Sequence, residues 1–200
     1  PFMPDTPQRI ATDTSQKLAI RFGETIKNYK KAGMDFNAAL KSIVRQDPNI
    51  IMLGEIRDQQ SAQIAIHAAL TGHLVFSTLH TNSALGAIAR LIDMGIEPYL
   101  LLSALRGVVA QRLVRRICKC CKGQGCDECY GTGFNGRIAL QELLLVDDGL
   151  KRLVLTEAEE SRQREYLCQQ GFKSLQQDGL EKVKLGLTTE EELLRAAVIE

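Results

Sequence analysis

The plainest chemistry in the sequence belongs to four cysteines. Cys118-x-x-Cys121-x-Gly123-x-Gly125 runs straight into Cys126-x-x-Cys129-x-Gly131-x-Gly133, so one unit repeats with a period of eight residues. Two CxxC pairs offer four thiolates, the set that a tetrahedral zinc ion takes. The glycines have their own reason. The chain must turn tightly after each pair, and a positive φ is cheapest for glycine. The turned backbone then aims N–H groups at the sulfurs and stabilises the thiolates. Four protein ligands leave no open position, so such a site is structural rather than catalytic. Cys120 competes with Cys121, but only Cys121 gives the two-residue spacing. Cys168 stands alone on an expected helix and reads as a small core residue. Five of the six cysteines lie within twelve residues, whereas a secreted disulfide scaffold would spread them. The clustering points to metal ligation in a reducing compartment, the cytoplasm.

A second group of candidates follows two apolar runs. Asn49 to Leu53 and His73 to Leu79 have the composition of buried parallel strands. In parallel α/β sheets functional residues lie just past the carboxyl ends of the strands. Gly54, Glu55, Ile56 and Arg57 stand after the first run, and His80, Thr81 and Asn82 after the second. A loop glutamate is solvated in most proteins, yet a carboxylate at the end of a buried strand equally suits a hydrated Mg²⁺. His80 can reach the same cleft. His73 starts its strand, at the opposite end, where a structural hydrogen-bonding histidine is as good a reading. His67 reads as a helix-surface or packing residue. Arg57 and Arg90 read either as phosphate or subunit contacts or as solvated, paired arginines.

The elements that would position these groups alternate. Asp35 caps a helix through Phe36, Leu40, Ile43 and Val44, and Pro48 ends it. Asp58 caps a second helix through Ile64, Ile66 and Leu70, closed by Gly72. Leu85, Ile88, Ala89 and Ile92 mark a third, closed by Gly95. Pro98 opens a fourth, with Leu101, Leu105 and Val108 along it. Residues 35–113 thus read helix, strand, helix, strand, helix, helix, which argues for a parallel α/β sheet. Residues 147–200 read as wholly helical, with Thr188 and Glu191 forming a capping box. The basic stretch Arg106, Arg112, Arg115, Arg116, Lys119 and Lys122 reads as a solvated face or a subunit contact.

Composition excludes several classes. In 200 residues the apolar share is 44% and the charged share 24%, ordinary for a globular chain. Twenty-five basic against 24 acidic residues leave a net charge of +1, which gives no case for nucleic acid as a partner. No uncharged apolar run approaches the roughly 18 residues of a membrane helix. The N-terminal residues contain no signal-peptide h-region.

Linked motifs then resemble one family closely. They are Arg45-Gln46-Asp47-Pro48, Leu53-Gly54-Glu55-Ile56-Arg57-Asp58, Thr71-Gly72-His73, Ser77-Thr78-Leu79-His80-Thr81-Asn82, Asp93-Met94-Gly95-Ile96-Glu97-Pro98 and Ala110-Gln111-Arg112-Leu113. With the tetracysteine motif, Gly133 to Glu142 and Gln177-Asp178-Gly179-Leu180, they resemble the ATPases of type II secretion and type IV pilus assembly. The likeness runs from about Lys31 to the C-terminus. Retraction ATPases of that family generally lack the four cysteines.

The resemblance implies an α/β fold: part of a RecA-like parallel sheet, a tetracysteine zinc insert and a C-terminal helical subdomain. The implied boundaries are residues 31–117 for half of the ATPase core, 118–136 for the zinc motif and 137–200 for the helical part. Residues 1–30 are left unassigned. By the same resemblance Ile50 to Glu55 is the Walker B strand. Glu55 holds magnesium through water and orients the attacking water. Gly54 and Arg57 adjoin the nucleotide, and His73 and His80 resemble the two ends of a His box that senses the γ-phosphate. The cofactors implied are ATP with Mg²⁺ and a structural Zn²⁺. The partners are further copies, a hexamer in the family, and platform proteins of the inner membrane, at whose cytoplasmic side the motor is peripheral. The sequence departs from the family at one decisive place. No G-x-x-x-x-G-K-[ST] phosphate loop occurs in these 200 residues, and no acidic box is recognisable. The expectation is a portion of a secretion or pilus-assembly ATPase, inactive by itself. The alternative is a non-enzymatic zinc-bearing interaction module. The CxxCxGxG repeats also resemble the Hsp40 zinc region, but the flanking motifs have no place there.

Overall fold

A computed structural model describes residues 48–197 together with positions 38, 41, 44 and 45. The N-terminal segment 1–30 and the helix cap at Asp35, with Phe36, Leu40 and Ile43, lie outside the described residues. In chain order the elements are β1 (Ile50–Met52), α1 (Gln59–Leu70), β2 (Leu74–Phe76), α2 (Ala84–Asp93), α3 (Pro98–Ala104), β3 (Gly107–Ile117), a 3-10 turn (Asp127–Cys129), β4 (Phe134–Leu145), α4 (Asp148–Leu155), α5 (Glu160–Gln169), α6 (Leu175–Lys184) and α7 (Glu190–Ala197). They form two compact units, one with residues 48–79 and 91–105, the other with 80–90 and 106–197.

The first unit is a β-α-β crossover. β1 and β2 pair in parallel, Ile50 opposite Leu74 and Met52 opposite Phe76. Parallel strands need a crossover between them, and α1 is that connection. Its start is fixed by Asp58, whose side chain accepts from the Ser61 amide at 2.8 Å in a reciprocal capping box. Ile51 and the small face Ala62, Ala65, Ile66 and Ala68 are buried. Pro98 occupies the first turn of α3, which buries Leu101 and Leu102. The expectation that both strands are buried needs correcting. Met52, Leu74 and Phe76 share one face and are all exposed, Phe76 to 54%.

The second unit is built on a long antiparallel hairpin. β3 and β4 pair from Gly107 opposite Leu145 to Ile117 opposite Phe134, with an irregularity between Arg115 and Ile117. This corrects two readings. The helix expected from Pro98 through Val108 stops at Ala104, and residues 134–145 are a strand, although 137–200 was expected to be helical. The reason is a period of two. Ile138, Leu140, Glu142 and Leu144 alternate with the exposed Arg137, Gln141, Leu143 and Leu145, Ala139 alone being half-buried between them. Val114, Leu140 and Leu193 form the core on the inward face, with Ile138, Leu175, Val183 and Ala196 packed around them. α6 and α7 therefore cover one side of the hairpin. Val109, Leu113, Leu143 and Leu145 are exposed on its other side.

Two polar residues lock α7 to β3. Thr188 donates its hydroxyl to the Arg115 carbonyl at 2.8 Å, while Thr189 accepts from the Glu192 amide at 3.3 Å. The expected capping role thus moves one residue on, to Thr189, because the buried Thr188 is taken by the strand. Glu192, 5% exposed, accepts from the Arg115 amide at 3.0 Å and its guanidinium at 2.6 Å. Arg115 also lies 4.2 Å over the Phe134 ring. Cys168 is exposed on α5 rather than in the core, because that helix turns Leu167 inward instead. Among the described residues no helix is long and apolar enough to cross a membrane.

Candidate functional site

The tetracysteine segment is the end of the hairpin. Cys118 directly follows β3 and Gly133 directly precedes β4, and the Cys118 amide donates to the Gly133 carbonyl at 2.9 Å. The two strands thus hold both halves of the repeat side by side. The sulfurs of Cys118, Cys121, Cys126 and Cys129 all lie within 4.8 Å of one another. Three of the separations are 3.9 Å (Cys118 to Cys126), 3.7 Å (Cys121 to Cys129) and 3.7 Å (Cys126 to Cys129). A disulfide would need about 2.05 Å. A tetrahedron with zinc–sulfur bonds of about 2.3 Å has edges of about 3.8 Å. The observed spacing therefore fits a four-thiolate metal site and no disulfide.

The backbone around the sulfurs fits thiolates as well. Amides of Gly125 and Cys126 point at the sulfurs of Cys121 and Cys129, at 3.1 and 3.2 Å, and the Gly133 amide reaches Cys129 at 3.3 Å. Burial pushes the Cys129 thiol up, but the amides of Cys126 and Gly133 and the neighbouring thiols outweigh it and bring it down to about 6. Gly133 has φ +76°, and a Cβ there would stand 2.4 Å from the Gly123 carbonyl oxygen. Only glycine fits. Cys120 lies outside this set. It is exposed, and a hydrogen bond to Cys126, together with nearby negative charge, pushes its thiol up to about 11. Cys120 does form a more exposed group with Cys126 and Glu128.

In the first unit, Gly54 and Glu55 follow β1 as the sequence implies. Leu53 and Ile56 continue the pairing, their amides donating to the carbonyls of Phe76 at 2.8 Å and Thr78 at 3.0 Å. Thr78 donates its hydroxyl to the Gly54 carbonyl at 2.6 Å. The backbone on both sides of Glu55 is thereby fixed. A Cβ added at Gly54 would meet nothing within 4 Å. Glu55 keeps 29% of its side chain exposed and pairs with Arg57 at 2.5 Å. That hydrogen bond holds the Arg57 guanidinium above its ordinary value.

His73 sits at the other end of this sheet. Its Nδ1 is 3.0 Å from the Ala68 carbonyl and 3.2 Å from the Thr71 hydroxyl, at the close of α1. The parallel register sets it beside Asn49, away from Glu55. His80 belongs to the second unit and is exposed in a loop leading to α2. Asn82 in that loop accepts from the Arg112 guanidinium at 2.8 Å, and Ser83 accepts from the Gly86 amide at 3.1 Å. His67 is exposed on α1.

Comparison with known proteins decides the family. Residues 11–195 match the family described as type II/IV secretion system protein. The chain belongs to that family. It is 49% identical over 170 residues to the type II secretion system protein HxcR of Pseudomonas aeruginosa, an alignment covering 81% of this chain and 36% of that protein. It is 44% identical over 195 residues to the type IV pilus assembly ATPase PilB of Thermus thermophilus, covering 84% of this chain and 22% of that protein. Over 198 residues it is 44% identical to the type II secretion system ATPase E of Vibrio cholerae, covering 86% and 39%. The chain therefore spans between 22% and 39% of the length of these relatives. A solved structure of the pilus retraction motor PilT with bound ADP superposes with a TM-score of 0.65 at 31% identity, covering 81% of this chain and 43% of that one. As a member of the secretion and pilus ATPase family, the chain corresponds to part of such a protein.

Proposed function

We propose that this chain is the portion of a secretion or pilus-assembly motor that carries the Walker B carboxylate, the histidine loop and a structural zinc. The observation that carries the reading is the placement of Glu55. It stands just past the parallel strand β1, whose Ile51 is buried, between backbone groups pinned by Phe76 and Thr78, in a chain 44% identical to relatives described as ATPases. Magnesium-bound ATP supplies the electrophilic phosphorus and its charge neutralisation. Glu55 orients the attacking water and accepts its proton, with Arg57 ion-paired to its carboxylate. The open side of Gly54 leaves room for a phosphate or water to approach the backbone. His80 senses the γ-phosphate from its loop, whereas the contacts of His73 support a structural task at the far end of the sheet.

The four thiolates hold one Zn²⁺, which clamps the end of the hairpin and does no chemistry on substrate. Without a phosphate loop in these 200 residues the chain lacks the amide cradle and lysine that bind the triphosphate, so it neither binds nor hydrolyses ATP appreciably by itself. The assembly is a homo-oligomer, hexameric in the family, docked on platform proteins at the cytoplasmic face of the inner membrane. Preceding the chain with the phosphate-loop portion of the Thermus relative and measuring phosphate release tests the reading. Hydrolysis is expected from the joined protein, with no micromolar Mg²⁺–ATP binding by the 200 residues alone in calorimetry. Tight binding by the 200 residues alone, or a folded joined protein without hydrolysis, contradicts it.

A further inference from the structure

Glu142 is a buried acid that the proposed function does not use. It lies on the inward face of β4 between Leu140 and Leu144, and is 4% exposed against 1% and 0% for those leucines. A carboxylate in such surroundings is costly unless both oxygens are satisfied. Here the partners are backbone amides. One oxygen accepts from the Ala84 amide at 2.5 Å, the other from the Leu175 amide at 3.1 Å. These are the first residues of α2 and α6. First-turn amides have no partner within their own helix, and each helix start carries about half a positive charge. One buried carboxylate thus answers two helix starts, and the two half-charges together match its own.

The position of Ala84 gives this contact a meaning. It stands four residues after His80 and ends the His80–Ser83 loop. Arg112, on the same face of the hairpin and opposite Leu140 in the register, holds Asn82 in the middle of that loop. Ser83 caps the helix from its own side. The hairpin therefore grips the loop at two points and ties it to the start of α6 through a single side chain.

We propose that Glu142 is a positioning residue for the histidine loop, with Arg112 as its partner, so that the loop and the start of α6 move as one body. The function assigned to that loop rests on the reading of His80 as the γ-phosphate sensor; the mechanical tie does not depend on it. Any shift of His80 on nucleotide turnover reaches α6 through Glu142, and any load on α6 returns to His80.

Hydrogen exchange read by NMR on the 200-residue chain tests the tie without needing hydrolysis. In the unmodified protein the amides of Ala84 and Leu175 should be protected at least about ten-fold beyond other first-turn amides such as Glu160, because a charge-assisted bond must open first. Glu142→Gln keeps the shape but replaces one acceptor by an NH₂ donor. Exchange at Ala84 or Leu175 should rise about ten-fold or more, and the His80 ring signals should shift. The Val114 and Ile138 amides, which face each other in the hairpin, should hold their rates. Arg112→Gln should move the His80 signals and leave Leu175 protected. Unprotected Ala84 and Leu175 in the unmodified chain would overturn the proposal even if Glu142→Gln failed to fold. So would a uniform rise across hairpin and helices, or His80 signals indifferent to both substitutions. If the joined, phosphate-loop-bearing protein proved inactive while these results held, the tie would stand and the nucleotide reading would fall.

Discussion

Gly131 and Gly133 offer a controlled test of the cysteine knuckle. Their φ values are +74° and +76°, so alanine pays the same left-handed penalty at both, about 1–2 kcal/mol. Their surroundings differ completely. A Cβ at Gly131 meets nothing within 4 Å, whereas at Gly133 it stands 2.4 Å from the Gly123 carbonyl oxygen and 3.0 Å from its carbon. Those are backbone atoms, with no flexible side chain to swing away. Relief requires the first knuckle to move off the second by the better part of an ångström. That movement pulls the Gly133 amide from Cys129 and its carbonyl from the Cys118 amide. Gly131→Ala should therefore cost about 1–2 kcal/mol. Gly133→Ala should cost on the order of 3 kcal/mol or more, as backbone strain joined to lost contacts does. For a chain of this size the second figure lowers the melting temperature by about 6–12 °C. The assay is thermal unfolding of the zinc-loaded protein, with competition against a chromogenic chelator for metal affinity. Equal losses at the two glycines, or a Gly133→Ala protein that melts and binds zinc like the parent, would refute the packing argument.

Further outcomes follow from the same structure. Metal analysis should find close to one zinc per chain, lost on Cys126→Ser and kept on Cys120→Ala; zinc retained without both Cys126 and Cys129 would exclude the ligand set. The Arg115 hydrogen bonds, set against burial, hold the Glu192 carboxyl below its ordinary value. A depressed acid stabilises the fold above its unfolded value of about 4.3 and loses that contribution as pH falls through its folded value. Acid unfolding of Glu192→Gln should accordingly be less steep below about pH 4.3, and an identical acid limb would contradict the pairing. Gly179→Ala should destabilise by about 1–3 kcal/mol despite better helix propensity, because its Cβ would stand 2.2 Å from a methyl of the buried Leu193; a stabilised protein in denaturant titration would show that Leu193 has room to move.

What the sequence disclosed depended on how local the cause was. The CxxC repeat, the Asp58 cap, the apolar run into Glu55 and the Pro98 helix start are contacts between near neighbours, and their spacing carries them. The hairpin was hidden because Leu101, Leu105 and Val108 continue a helical period across the real boundary. Its own alternation sits among arginines and glutamines that suit a helix as well as a strand. Thr188 and Thr189 were one residue out of place because only the fold shows that Arg115 occupies the first hydroxyl. Glu142 gave no signal at all. Its partners are backbone amides 58 residues before it and 33 after it, and an amide leaves no mark in a sequence. Arg57 was legible as a charged residue beside Glu55, but the ion pair between them took the geometry to show.

The central claim is that Glu55 is the residue that works on the attacking water. Its most direct test is the turnover number of the joined, phosphate-loop-bearing protein before and after Glu55→Gln, with nucleotide affinity measured in parallel. Removing a base that acts at the reacting water costs about 100-fold or more in rate. A fall of that size with Mg²⁺–ATP affinity retained is the predicted result; turnover within a few-fold of the parent would contradict the account.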